Sequence, residues 1–216
     1  MRALEANSAA ALYAIADLGL LGAGKAPEAV RTMAAEGVST IQLRGKRASG
    51  AELYRVIAAS RESVPAGCRL WIDDRADLVA LFPDLDLHLG QADLPPAAAR
   101  RFLGPRSGSA GRIGWSTHDE PQLEAADADP AVDVIAVGPI FPTTGKENPD
   151  QVVGLGFLRW ARRHTRKPLV AIGGIDAGNV ASVLAAGADQ AAVLGAVCRG
   201  DVGANCRRLL AACGST

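Results

Sequence analysis

Short apolar runs that end in polar or small residues alternate along this chain with Ala-rich amphipathic segments. The runs predict β-strands at Ala11–Asp17, Thr40–Arg44, Leu70–Asp74, Asp86–Leu89, Arg112–Ser116, Val132–Val137, Leu169–Gly173 and Ala191–Gly195. The segments between and after them predict helices at Pro27–Glu36, Gly50–Val64, Arg75–Phe82, Pro95–Phe102, Glu120–Ala126, Leu155–His164, Ala177–Ala186 and Val202–Ala212. Pro27 and Asp176 carry helix-entry signals, and Gly37 and Gly187 close their helices. Strict alternation of eight strands with eight helices implies a parallel sheet with right-handed crossovers. Eight such units close into a barrel, whereas a doubly wound open sheet usually has fewer strands. No linker or composition shift divides the chain, so the expectation is an α/β fold, a single-domain (β/α)8 TIM barrel over residues 1–216.

That fold directs attention to the C-terminal strand ends, where barrels of this kind gather their chemistry. After the second strand, Gln42, Leu43, Arg44, Gly45 and Lys46 set an amide and two cations at the mouth. An arginine fork and a lysine point charge suit a diphosphate, although a solvated basic loop also fits an isolated R-x-K. The third strand ends in Asp73-Asp74-Arg75, and Asp93 follows the fourth. Asp74 and Asp93 are candidate Mg²⁺ ligands, because magnesium takes a few carboxylates together with phosphate oxygens and waters. The alternatives are a salt bridge from Asp74 to Arg75 or Arg44, and a helix N-cap at Asp93. Ser116 is placed to hydrogen-bond a phosphate oxygen, while His118 could be a base or a cap for the next helix.

The stretch after the sixth strand stops at Gly138-Pro139 and continues through Thr143, Thr144, Gly145 and Lys146, a loop suited to an anionic ligand. Gly173-Gly174 after the seventh strand and Leu194-Gly195 in the eighth form the usual position for a phosphate held by backbone N–H groups. Two anion sites in one mouth call for two phosphorylated substrates.

Composition narrows the classes further. Hydrophobic residues make up 49% and charged residues 21%, as in a globular domain. Lys+Arg and Asp+Glu balance at 23 each, which gives nucleic acid or an anionic membrane little to bind. There is no apolar run of about 18 residues and no signal-peptide pattern, so the cytosol is expected. Cys68, Cys198, Cys206 and Cys213 lack metal-ligand spacing and read as free thiols, with Cys206 and Cys213 sharing the buried face of a terminal helix. Tyr13, Trp71 and Trp115 are expected to serve core packing. A homo-oligomer is compatible with all of this.

The segments IQLRGK (41–46), DDRADL (73–78), LHLGQADLP (87–95), IGWSTH (113–118), VGPIFPTTGK (137–146), VAIGGI (170–175) and AGAD (186–189) stand in order along the chain. Together they resemble the thiamine-phosphate synthase family across nearly the full length, from Leu12-Tyr13-Ala14-Ile15 to the eighth strand. The resemblance implies a transferase that joins a hydroxymethylpyrimidine diphosphate to a thiazole phosphate with Mg²⁺, releasing diphosphate. By matched position, Gln42, Arg44 and Lys46 would hold the pyrimidine diphosphate with Ser116 and Lys146. Arg44, Lys46, Ser116 and Lys146 would be the catalytic set, and Asp74 and Asp93 would bind the metal. Thr143, Gly174, Leu194 and Gly195 would hold the thiazole phosphate.

Four positions depart from that family's usual pattern: Gly45 stands for Glu, Asp73 for Asn, Gly195 for Ser, and Gly145 for Thr or Ser, with Thr144 able to supply a shifted hydroxyl. Asp73 adds a third carboxylate where a diphosphate is expected to bind. Two other readings go with the resemblance: a thiazole tautomerase-like isomerase, for which His118 would be the acid–base residue, and a non-catalytic paralogue that binds thiamine intermediates.

Overall fold

The computed structural model describes residues 11–105, 111–143 and 151–214. Its eight strands are β1 (Leu12–Asp17), β2 (Thr40–Arg44), β3 (Arg69–Asp73), β4 (Asp86–Leu89), β5 (Ile113–Thr117), β6 (Val134–Val137), β7 (Leu169–Ile172) and β8 (Gln190–Val193). Each pairs in parallel with its sequence neighbours, and β8 returns to β1, so the sheet closes as a barrel in the order 1 to 8. Around it lie α1 (Leu18–Leu21), α2 (Ala26–Ala35), α3 (Gly50–Ser63), α4 (Ala76–Val79), α5 (Pro96–Leu103), α6 (Glu120–Ala128), α7 (Gly154–His164), α8 (Val180–Ala185), α9 (Gly195–Cys198) and α10 (Val202–Cys213). The (β/α)8 barrel expected from the alternation of runs is the observed fold.

The period of two within each strand sorts side chains to opposite sides of the barrel wall. In β2, Ile41 and Leu43 face outward into the apolar layer beneath the helices, which leaves Gln42 and Arg44 to face the interior. The interior is lined by Tyr13, Ile15, Trp71, Val134, Ala136, Val170 and Ala192. The outer layer is larger and takes the buried stripe of every long helix, including Cys206 and Cys213 of α10. All four cysteines are free thiols. Trp71 fills the interior beside Tyr13, with ring centroids 6.0 Å apart, whereas Trp115 packs against the outer layer.

Several boundaries differ from expectation for local reasons. α1 was not anticipated; Asp17 creates it by accepting the Leu20 N–H at 3.1 Å as an N-cap. The helix expected at Arg75–Phe82 is α-helical only over Ala76–Val79, because the Leu81 and Phe82 N–H groups reach back three residues, to Leu78 and Val79, just before Pro83. α8 begins at Val180 rather than Ala177, since Asp176 accepts the Gly178 N–H and Asn179 accepts the Asp176 N–H, locking a turn ahead of the helix. β8 ends at Val193, and Gly195 opens the four-residue helix α9.

β6 and β7 approach unusually closely at the mouth. The Ile140 N–H donates to the Ile172 carbonyl at 2.9 Å, and a Cβ placed on Gly138 would stand 2.3 Å from that same oxygen. Gly138→Ala is therefore expected to lower stability by about 2–3 kcal/mol through a clash with backbone that cannot rotate away. Gly24→Ala, where a Cβ meets nothing within 4 Å, is the control, and urea unfolding of the two variants measures the difference.

Candidate active site

The ends of β1, β2 and β3 carry a chain of opposite charges. In-register pairing sets Asp17 beside Arg44, and their side chains form an ion pair. Arg44 Nε also lies 3.6 Å from Asp73 Oδ2. Lys46, two residues further along, stands 3.6 Å from the same oxygen and pairs directly with the Asp74 carboxylate. The two cations expected to cradle a diphosphate thus share three carboxylates, those of Asp17, Asp73 and Asp74.

Asp74 follows β3 in a left-handed turn, with φ at 64°. Such a conformation in a non-glycine residue costs on the order of 1 kcal/mol and is held by its surroundings. Here the Asp74 N–H donates to the His88 carbonyl at 2.8 Å, tying the turn to β4. The turn departs from the expected strand, which was to run to residue 74, and it brings the carboxylate to Lys46. Asp93 follows β4 in a tight turn, its carboxylate accepting the Gly90 N–H at 2.7 Å. It is not the N-cap of α5; Pro95 occupies that position and caps with no side-chain bond.

Burial raises the pKa of Asp73, against the pull of Lys46 and Arg44. Asp74 is pushed up to about 7, first by burial and then by the charge of Asp73, with a hydrogen bond to Asp93 adding to the rise. For Lys46, burial alone would favour the neutral amine, but Asp73 and Asp74 outweigh it and the ammonium is held more strongly than usual. The Asp74 carboxylate thus sits in a crowded acidic corner beside Asp73 and Asp93. A hard cation would relieve that crowding, and one or two carboxylates completed by phosphate oxygens and water suit Mg²⁺. Among the described residues no cluster of three or more His, Cys, Asp or Glu could hold a metal.

Beside this charged half, β4 and β5 hold Ser116. His88 Nε2 lies 2.9 Å from its hydroxyl, and the Gln91 amide donates to its carbonyl at 2.5 Å. Deeper in the barrel, Gln42 donates to the Tyr13 hydroxyl at 3.0 Å. His118 lies 2.6 Å through Nδ1 from the Gly138 carbonyl, and its N–H donates to Gln122 in α6. It does not cap the helix; Asp119 does.

On the opposite side, the Phe141 N–H donates to the Gly173 carbonyl at 3.0 Å, joining the β6 loop that carries Thr143 to the glycine pair. Gly174 has φ at 64°, and a Cβ there would meet the Pro142 carbonyl at 2.6 Å, so only glycine lets the two loops touch. Asn179 fixes this turn by donating to the Gly174 carbonyl at 2.9 Å. Thr144, Gly145 and Lys146 lie outside the described residues.

Two expected members of the site are placed differently. The Leu43 side chain is fully buried in the outer layer, so at most its backbone reaches the mouth. Gly45 backs onto Leu18, Ala48 and Leu53, and a Cβ there would stand 3.2–3.3 Å from each, so a side chain needs those neighbours to give way. Conversely, Asp17, His88, Gln91 and Asn179 stand at the site although sequence reasoning passed them over, and Tyr13, expected to serve core packing, also meets Gln42. For Asp17 and His88 the signal was present: a polar residue near the C-terminal end of an apolar strand.

An ordinary aspartate ionises near pH ~4, and Asp74 holds its proton to about 7 in the fold. Between those values the folded chain binds more protons than the unfolded one, so metal-free stability falls as pH rises through that window. Metal-free protein should melt higher at pH ~5 than at pH ~8. Asp74→Asn should shrink that difference without abolishing it, because burial shifts Asp73 and Asp86 in the same direction. Thermal melts across the pH range measure the slope.

A model of the family described as thiamine monophosphate synthase matches residues 12–197. The thiamine-phosphate synthase of Koribacter versatilis is 42% identical over 187 residues, covering 85% of this chain and 86% of that protein. That of Mycobacterium sp. (strain JLS) is 43% identical over 183 residues, covering 77% and 76%. The solved structure of thiamine phosphate pyrophosphorylase from Pyrococcus furiosus superposes with a TM-score of 0.78 at 31% identity, covering 97% of both chains. With its barrel, its charged strand ends and a family match over most of its length, the chain belongs to the thiamine monophosphate synthase family.

Proposed function

We propose that this protein is a thiamine-phosphate synthase, a transferase that joins 4-amino-2-methyl-5-(diphosphooxymethyl)pyrimidine to a thiazole phosphate, giving thiamine phosphate and diphosphate. The observation that carries the reading is the paired arrangement at β2 and β3. Arg44 and Lys46 face Asp73 and Asp74 in one mouth, with Asp93 in the next turn. This set suits a diphosphate that arrives with its own divalent cation.

In this reading Asp74 and Asp93 hold Mg²⁺ when it is bound, and the ion supplies charge neutralisation at the diphosphate. Arg44 and Lys46 turn from their carboxylates to the diphosphate oxygens, with Lys146 from the loop outside the described residues. Ser116 donates its hydroxyl proton to the same group, and Gln42, with the backbone of Leu43 and Gly45, borders it. Electrons from the amino group of the pyrimidine stabilise a methylene cation as the carbon–oxygen bond to diphosphate breaks. The thiazole nitrogen then supplies the pair for the new carbon–nitrogen bond. Its phosphate is held by the hydroxyls of Thr143 and Thr144 and by backbone N–H groups at Gly145, Gly174, Leu194 and Gly195. Positioning and charge neutralisation account for such a step without a general base, since the attacking nitrogen carries no proton to remove.

The presence of Arg44, Lys46, Asp74 and Asp93 at the mouth supports the synthase over an isomerase, which needs neither a diphosphate cradle nor a metal. No helix among the described residues is long and apolar enough to cross a membrane. The reading places the enzyme in the cytosol, acting on small molecules.

Incubation of the protein with both substrates and Mg²⁺ is expected to yield thiamine phosphate, and the rate should fall by about 100-fold or more in Asp93→Ala. Product formation independent of metal would overturn the assignment of the two carboxylates. Asp73→Asn releases Arg44 and Lys46 from one partner, so the KM for the pyrimidine diphosphate should fall and the Mg²⁺ titration should move. Superimposable titrations would show that Asp73 does not bear on the metal.

A further inference from the structure

Ser116 is gripped by one short segment from both sides. His88, on β4, places Nε2 2.9 Å from the hydroxyl oxygen. Gln91, three residues on, holds the backbone carbonyl of the same serine. The position of His88 is in turn set by glycine: a Cβ on Gly114, its register partner on β5, would stand 2.8 Å from His88 Nδ1 and 3.2 Å from the Trp71 ring. Trp71 is only 2% exposed and forms the interior surface against which this arrangement rests. The imidazole is thus set by its neighbours toward one hydroxyl.

A serine hydroxyl has one proton and two acceptor lone pairs. Phosphate oxygens at neutral pH mainly accept, so a serine that serves a diphosphate spends its proton there and has only lone pairs left for other neighbours. An imidazole whose Nε2 carries the proton supplies the matching donor. We propose that His88 is a positioning residue for the pyrimidine diphosphate. Its Nε2–H donates to the Ser116 oxygen, which turns the hydroxyl proton outward to the diphosphate. This rests on the synthase reading above and adds to it a residue that touches no substrate but selects the rotamer of one that does.

The test compares two amides of different reach. In His88→Gln the amide nitrogen can occupy the place of Nε2, whereas in His88→Asn it reaches only the place of Nδ1. We expect His88→Asn to raise the KM for the pyrimidine diphosphate about tenfold, the scale of one hydrogen bond to a charged group, with the KM for thiazole phosphate unchanged. His88→Gln should stay close to the parent. Added to Ser116→Ala, His88→Asn should cost nothing further, because the hydroxyl it orients is gone.

Equal effects of Asn and Gln would overturn the proposal, as would multiplicative losses in the double variant or a matched rise in both KM values. Absence of thiamine phosphate from the parent protein with both substrates and Mg²⁺ would instead sink the synthase reading on which the inference stands. The two failures are separated by the parent assay.

Discussion

The mouth of this barrel is organised by a row of charges, most of them withdrawn from water. Asp17, Arg44, Asp73, Lys46 and Asp74 form a continuous sequence of opposite charges across the ends of β1, β2 and β3, and Asp73 is only 8% exposed. The Asp17–Arg44 pair is largely buried, where desolvation offsets much of the attraction, while the pairs of the exposed Lys46 are partly open to water and contribute little net stability. In the proposed reaction they keep two cations at fixed points, with carboxylates that a diphosphate would replace. The raised pKa of Asp74 expresses the same constraint from the acidic side, first through burial and then through the charge of Asp73 beside it.

The remaining elements serve that corner by short, rigid links. The left-handed turn at Asp74 is fastened to the His88 carbonyl, and His88 itself reaches Ser116, so β3, β4 and β5 are connected through one residue. Across the mouth, Gly138 and Gly174 let the β6 and β7 loops meet at distances that a side chain would forbid. The two halves differ in kind. One is built from charged side chains that can exchange partners, the other from backbone held by glycine and by Asn179. That division suits a leaving group that must be neutralised and a second substrate that need only be placed.

The departures from the family's usual residues also acquire physical meaning. Gly45 lies against Leu18, Ala48 and Leu53, where this chain's packing leaves little room for a glutamate. Asp73, the most consequential, is accommodated by two cations and by burial that raises its pKa. At Gly195 a Cβ would meet open space, with only the Arg199 guanidinium at 4.0 Å, so nothing in the packing requires glycine there.

Much of this was legible in the chain alone. Strict alternation of apolar runs and amphipathic segments determined the barrel, because eight parallel strands with crossover helices have few other ways to bury both faces. The period of two in Thr40–Arg44 already separated Gln42 and Arg44 from Ile41 and Leu43, although Leu43 was still grouped with the site. Arg44, Lys46, Asp74 and Asp93 were recognisable because charge at a strand end in an otherwise apolar context has to face the mouth.

What the sequence could not determine was partnership. Whether Asp93 capped a helix or faced its neighbour carboxylate depended on the turn at Gly90, and whether Asp74 continued the strand or left it depended on the carbonyl of His88, fourteen positions away in the chain. Asp17 and His88 take their roles from contacts between segments distant in sequence, with Arg44 and with Ser116. Periodicity reports which side of an element a residue occupies. Only the closed barrel decides what it meets there, because closure alone sets the distances between strand ends.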